Sequence, residues 1–315
     1  MNFTEQLEAA KPNAKPNTIK TYNTILKTIY KKVFSDTPSP DINNFKNVEK
    51  ILEYPPYYED DTKKYIIKDA PLQTRKTKLS AIQALTPMPE YRDKIFEYSN
   101  ALKKETEKSE MTDKLEAAEI TPEEMTSVVA RVKNIADAIN KKTELTMKDI
   151  QEIQNYIIIS LYHGHIPPRR SMDMTEMVLT PTDKDTQNYI DLKKSQLVFN
   201  KYKTAVTYGK KIINIPPALK KILTKWIKII PDGVETLLFN KKREPLISTT
   251  LNQRFNEIFG GAKSVNSMRH YYLTQNHSEA IRADDALAED MSAMGSNIAQ
   301  KKVYIKINAK PNIPI

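Results

Sequence analysis

The sequence predicts a mainly α-helical protein with a small β-sheet, arranged as an N-terminal helical domain over residues 1–105 and an α+β domain over residues 106–315. Three observations predict it. In the first third, apolar residues recur three and four apart, as on one face of a helix. Between residues 189 and 215, three short runs alternate or carry β-branched residues, as strands do. A length of 315 residues also suits two domains at roughly 100–200 residues each.

The elements follow in order. In NTIKTYNTILKTIYKKVF, Ile19, Tyr22, Ile25, Leu26, Ile29, Tyr30 and Val33 form one apolar face. Lys20, Lys27, Lys31 and Lys32 lie between them, and Asn17 is placed to cap. Further helical patterns cover 45–54, 62–68, 72–85 and 91–104, the third carrying Arg75, Lys76 and Lys78. Acids then crowd residues 105–124, with only Lys108 and Lys114 among them, which predicts a solvent-facing connector and a boundary near Glu105. Thr121-Pro122-Glu123-Glu124 has capping-box spacing with proline at the first helical position, and opens a helix to about residue 138. A second helix, 146–163, is buried on Ile150, Ile153, Ile157, Ile158 and Leu161. The strands are 189–192, 196–200 and 211–215, with Tyr208-Gly209-Lys210 turning into the third. Pro216-Pro217 starts a helix over 218–229, and 249–307 reads as helical apart from loops at Gly260-Gly261 and Gly295-Ser296.

Composition excludes several chemistries. With no cysteine there is no disulfide framework, thiolate metal site or thiol nucleophile. There are six glycines and no GxxxxGK[ST] or GxGxxG string, which removes phosphate-loop nucleotide enzymes. The four histidines (163, 165, 270, 277) form no HExxH string, and no acid cluster accompanies them, so neither metal nor cofactor is expected. No apolar run approaches the ~20 residues of a membrane span, so a soluble, intracellular protein is expected. Lysine plus arginine number 49 against 39 acids, a net +10. Ten of those lysines lie between 193 and 228 with no acid among them, a basic block suited to an anionic partner. A solubilising face is the alternative for any one lysine cluster.

Four boxes carry chemistry. HGHIPPRRSMDMTEM sets Arg170 at a helix start, with an acid three residues on at Asp173; Arg169 is the fallback. KYKTAVTYGKKIINIPPAL places Lys203 on a hairpin, NSMRHYYLT gives Arg269 followed by His270, and MSAMGSNIAQKKVYIKI ends on Tyr304 in a basic helix. In this order, and over almost the whole chain, the features resemble the tyrosine recombinases, or phage-type integrases, with their N-terminal core-binding helical domain. The PPRR form of the first box is similar to that of integrases from large DNA viruses and their mobile elements. Two positions depart from the family pattern: Asn266 stands where the second box has histidine, and either Ser296 or a one-residue gap takes the place of the histidine of the last box.

The resemblance implies a site-specific recombinase or integrase acting on double-stranded DNA through a 3′-phosphotyrosyl intermediate, with no metal or cofactor. Tyr304 would be the nucleophile, Arg170 and Arg269 would hold the phosphate oxygens, and Lys203 would protonate the leaving 5′-oxygen. Asn266 donates a hydrogen bond but shuttles no proton at neutral pH; it, His270 and Ser296 are auxiliary candidates. Lys20, Arg75, Lys76, Lys78, Lys201 and Lys210 are the DNA-contact candidates. A homo-tetramer on DNA is implied, with a monomer in solution compatible. A catalytically degenerate DNA-binding protein and a type IB topoisomerase-like nicking-closing enzyme are the alternatives. Locally, Tyr304 could instead pack in a core, Arg170 pair with Asp173 or Glu176, and Lys203 protect a sheet edge. Tyr271 and Tyr272 are assigned to the core.

Overall fold

The computed structural model describes residues 2–34, 41–52, 67, 70–107 and 113–296. The chain divides into two compact units, Met1–Met111 and Thr112–Ile315.

The first unit holds α1 (Thr4–Ala10), α2 (Pro16–Val33), a 3₁₀ turn (Ile42–Lys46), α3 (Val48–Leu52), α4 (Leu72–Leu85) and α5 (Pro89–Glu107). α2 buries Ile19, Leu26, Ile29, Tyr30 and Val33, most of the face that the periodicity marks. It begins at Pro16 with Lys15 at the cap position, so Asn17 lies inside the first turn instead of capping it. Proline's fixed φ and missing N–H suit that first position. The segment 45–54 is not one helix. Asn47 interrupts it, and its Oδ1 accepts from Lys50 N at 3.0 Å, starting α3 afresh. The pattern at 62–68 lies largely outside the described residues. α4 packs on α2 and α5, and Phe3, Tyr30, Phe34 and Phe45 meet ring to ring at 5.3–6.1 Å.

The second unit opens with α6 (Asp113–Ala118), α7 (Pro122–Ile139) and α8 (Met147–Tyr162). The acidic segment expected as a connector is therefore partly helical, because Glu, Lys, Leu and Ala are strong helix formers whatever their exposure. Thr121 Oγ1 accepts from Glu124 N at 3.1 Å and caps α7. α8 carries a full capping box between Thr146 and Asp149. Next come α9 (Ser171–Thr175), β1 (Met177–Val178), β2 (Asn188–Asp191), β3 (Gln196–Phe199), α10 (Ala205–Tyr208), β4 (Lys211–Asn214), α11 (Pro217–Ile227), α12 (Ser248–Phe259) and α13 (Val265–Ala293). The sheet order is β1-β2-β3-β4, with β1 parallel to β2 and the other pairs antiparallel. Phe199 pairs with Lys211 at the end of the β3–β4 ladder next to the connecting residues 200–210. The core sits among α7, α8, α11, α12 and the sheet; in it the single tryptophan, Trp226, is fully buried and stacks on Phe239 at 5.7 Å. No described helix is long and apolar enough to cross a membrane.

Candidate functional site

The site is built where α8 ends. After Tyr162 the chain turns at Gly164, whose φ of +74° is the left-handed region that favours glycine. Pro167 and Pro168 then keep it out of helix until α9, for which Arg170 is the N-cap residue with extended backbone. Arg169 faces inward. Its Nη2 is 2.8 Å from Asp173 Oδ2, and its guanidinium lies over the rings of Phe199 (4.5 Å) and Tyr202 (4.9 Å). The acid that singles out Arg170 by its spacing therefore pairs with Arg169. A side chain in the first helical turn points back toward the N-terminus, which carries the Asp173 carboxylate past Arg170. The other acid considered for Arg170, Glu176, goes to Lys201 at 3.0 Å. Arg169 is thus a half-buried strut, and Arg170, also half-buried, forms an ion pair with neither acid, although its charge acts on Asp173.

The strut reaches the hairpin that bears Lys203. Tyr202 donates its hydroxyl to Gly209 O at 2.5 Å, closing the connection between β3 and β4. Asn188 is buried and ties the same connection to α9: its Nδ2 donates to Asp173 O (3.2 Å) and Lys201 O (2.7 Å), while its Oδ1 accepts from Asn200 N (2.9 Å) and Lys201 N (2.8 Å). Lys203 is exposed on the turn beyond these anchors. It is on the connection and not on a strand, so the edge-protection reading does not describe it.

The third contribution is the first turn of α13, fixed by a reciprocal Ser264–Ser267 capping box. There Arg269 Nη1 approaches Asn266 Oδ1 at 3.5 Å, and Asn266 Nδ2 lies 3.3 Å from His270 Nε2. One residue on, Tyr271 meets the His163 ring at 6.1 Å, docking α13 on the end of α8. Tyr271 packs against the core as expected; Tyr272 is only partly buried. Beneath these groups the Tyr162 hydroxyl is fully buried and has no hydrogen-bond partner among the described residues. Burial first, and then the Asp173 charge, push its pKa well above the ordinary phenol value, while Arg169 and Arg269 oppose the shift. Burial likewise raises the Asp173 carboxyl, opposed by Arg169 and Arg170. Burial, then His165, lowers His163, which keeps that imidazole neutral at pH 7. Arg169, just ahead of α9, therefore acts on both Tyr162 and Asp173, while Arg170 at the α9 N-cap acts on Asp173 and Arg269 on α13 acts on Tyr162.

Other candidates lie elsewhere. Ser296 sits past the far end of α13; at 1.5 Å per residue it is about 40 Å along the helix from Arg269. Its backbone N–H donates to Met291 O at 2.7 Å, closing the helix end at Gly295. Tyr304 lies outside the described residues. In the first unit Lys20 is exposed on α2, and Lys76 and Lys78 are half-buried on α4. Burial and the neighbouring charge of Lys32 on α2 lower the Lys78 pKa, so two helices bring amines together there. Arg75 is partly a structural residue: its Nε donates to Ala70 O at 2.5 Å and its guanidinium lies 5.9 Å from the Tyr98 ring centre. Lys201 carries the Glu176 pair, and Lys210 is exposed. The sequence reading missed Tyr162, Asn188 and Tyr202. Only Asn188 left a signal, as an asparagine at the start of a β-type run.

No family model matches the chain, and no curated protein matches it. A solved structure, described as a crystal structure of XerA recombinase, aligns over 98% of this chain and 94% of its own at 11% identity and a TM-score of 0.34.

Proposed function

We propose that this protein binds duplex DNA and breaks and rejoins it by transesterification, as a tyrosine recombinase does. The observation that carries the reading is that Arg170 and Arg269, about 100 residues apart in sequence, act on two buried groups that themselves interact, Arg170 on Asp173 and Arg269 on Tyr162. Arginine forks suit the negative charge that gathers on the non-bridging oxygens of a phosphodiester during displacement. In this reading the Tyr304 oxygen attacks phosphorus, the bond to the 5′-oxygen breaks, and Lys203 gives that oxygen its proton. The free 5′-hydroxyl can later reverse the step, so no external energy source is needed. Lysines 20, 76, 78 and 210 hold the backbone, and recombination between two duplexes would assemble four copies on DNA.

The test is incubation with supercoiled and nicked duplexes, followed by a denaturing quench. Wild type should leave a protein–DNA adduct, and Arg170→Ala and Arg269→Ala should leave none while weakening binding only modestly, because their action is on the transition state. Equal adduct from Arg269→Ala and wild type would refute the assignment. A second reading, a DNA-binding protein that has lost catalysis, is favoured by Asn266 at a histidine position and by the run of α13 between Arg269 and Ser296. Salt-sensitive duplex binding with no adduct from wild type would select it.

A further inference from the structure

The β3–β4 hairpin ends in an apolar tip that the proposed chemistry does not use. Val206 is fully exposed, Tyr208 is 62% exposed and Ile212 is 51% exposed. Single exposed apolar residues are ordinary on protein surfaces; three within seven positions on one projection are not. The tip cannot fold back on the core, because its base is braced. Tyr202 bonds Gly209 O, Asn188 holds the backbone of Asn200 and Lys201, and Gly209, with φ of +63°, turns the chain straight into β4. α10, a single helical turn, then presents Val206 and Tyr208 outward.

The charge around the tip identifies what it meets. Residues 192–231 hold ten lysines and no acid. Lys203 and Lys210 are exposed on either side of Val206 and Tyr208, and Lys211 Nζ lies 5.8 Å from the centre of the Tyr208 ring. A second copy of this hairpin would be repelled by that charge. Duplex DNA, in contrast, keeps flat apolar base faces behind two rows of phosphates, and apolar side chains flanked by cations enter such steps as wedges. Resting on the DNA-binding reading above, we infer that Val206, Tyr208 and Ile212 form a wedge that intrudes at a base step of duplex DNA and unstacks it, while the flanking lysines grip the phosphates. The wedge places the DNA deformation beside Lys203.

The experiment uses the full chain and fluorescence anisotropy with two probes: a fluorescent 30-base-pair duplex of mixed sequence, and the same duplex with a central two-base mismatch that is already unstacked. Unstacking a step costs a few kcal/mol, so a wedge prefers the opened site. Wild type should bind the mismatched duplex about tenfold tighter, equivalent to about 1.4 kcal/mol. The triple variant Val206→Ser, Tyr208→Ser, Ile212→Ser should bind both probes equally and keep the salt dependence of wild type; Val206→Ser alone, at a fully exposed position, should lose part of the preference and guards against a folding defect in the triple variant. Equal binding of both probes by wild type, or an undiminished preference in both variants, would overturn the wedge while leaving DNA binding intact. Binding of neither probe would overturn the DNA reading itself. Light scattering on the same samples covers the remaining occupant: a wild-type oligomer that the triple variant cannot form would assign the tip to a second copy and overturn the proposal.

Discussion

Arg169→Ala is the perturbation whose cost the structure fixes most closely. The guanidinium is 2.8 Å from a carboxylate that is 1% exposed, and it is itself only 20% exposed. Removing one partner of such a pair leaves an uncompensated buried charge, which costs about 3–5 kcal/mol. The ring contacts at 4.5 and 4.9 Å are lost as well, at about 0.5–2 kcal/mol apiece. The two losses overlap, since one group makes both, so the expected total is about 4–5 kcal/mol. The deficit should depend on pH. Burial already raises the Asp173 pKa above its ordinary 3.8; without Arg169 it rises further, and the folded variant takes up a proton that its unfolded chain does not. Stability of the variant relative to wild type should therefore recover as pH falls through that raised pKa, and the gap should be smaller at pH 5 than at pH 8. Adding Asp173→Asn to Arg169→Ala should restore much of the loss. Urea unfolding followed by Trp226 fluorescence measures this directly, because the only tryptophan is buried in the same unit. A loss below about 1 kcal/mol, or an identical loss at both pH values, would refute the strut.

Lys203→Ala should leave duplex affinity nearly unchanged and slow cleavage about 10²-fold or more. A substrate with sulfur at the 5′ bridging position, whose leaving group needs no proton, should rescue it; failure of the rescue excludes Lys203 as the acid. Lys78→Ala should weaken binding alike on all sequences and reduce the slope of log affinity against log salt by about one, read from anisotropy titrations. For Asp149, hydrogen bonds from Lys142 and Thr146 hold the pKa down at about 2. A lowered carboxyl stabilises the fold above its unfolded pKa near 3.8 and ceases to as pH falls toward 2. Asp149→Asn should therefore flatten the urea midpoint between pH 4 and pH 2, where wild type declines; parallel declines would refute the assignment.

Much of the fold is legible in the sequence because its determinants are local. The 3- and 4-residue spacing from Leu72 to Leu85 marks α4 to its ends, and the Thr146–Asp149 box marks the start of α8. The run from Val265 to Ala293 contains no glycine or proline, which is why α13 continues unbroken for 29 residues between the loops expected at Gly260-Gly261 and Gly295-Ser296. The candidate site is less legible, because its connections are not local. Spacing alone assigns Asp173 to either arginine; which one it takes depends on Phe199 and Tyr202, about 30 residues away, which shelter Arg169. Asn188 joins partners 12–15 residues distant on both sides, and its one signal in the sequence, an asparagine at the start of a β-type run, does not say which partners it ties. Tyr162 reads as one more apolar position on α8, and only the approach of α9 and α13 gives its hydroxyl charged neighbours.

The central claim is that the arginines gathered around Asp173 and Tyr162 serve a tyrosine nucleophile. It is tested most directly by trapping the protein on a nicked duplex, digesting both components and identifying by mass the peptide that retains a nucleotide. The account predicts a phosphotyrosyl link at Tyr304, absent from Tyr304→Phe although that variant folds and binds DNA as wild type does. A link at Tyr271 or Tyr272 would contradict the assignment of the nucleophile, and the absence of any link from wild-type protein that binds the duplex would contradict catalysis altogether.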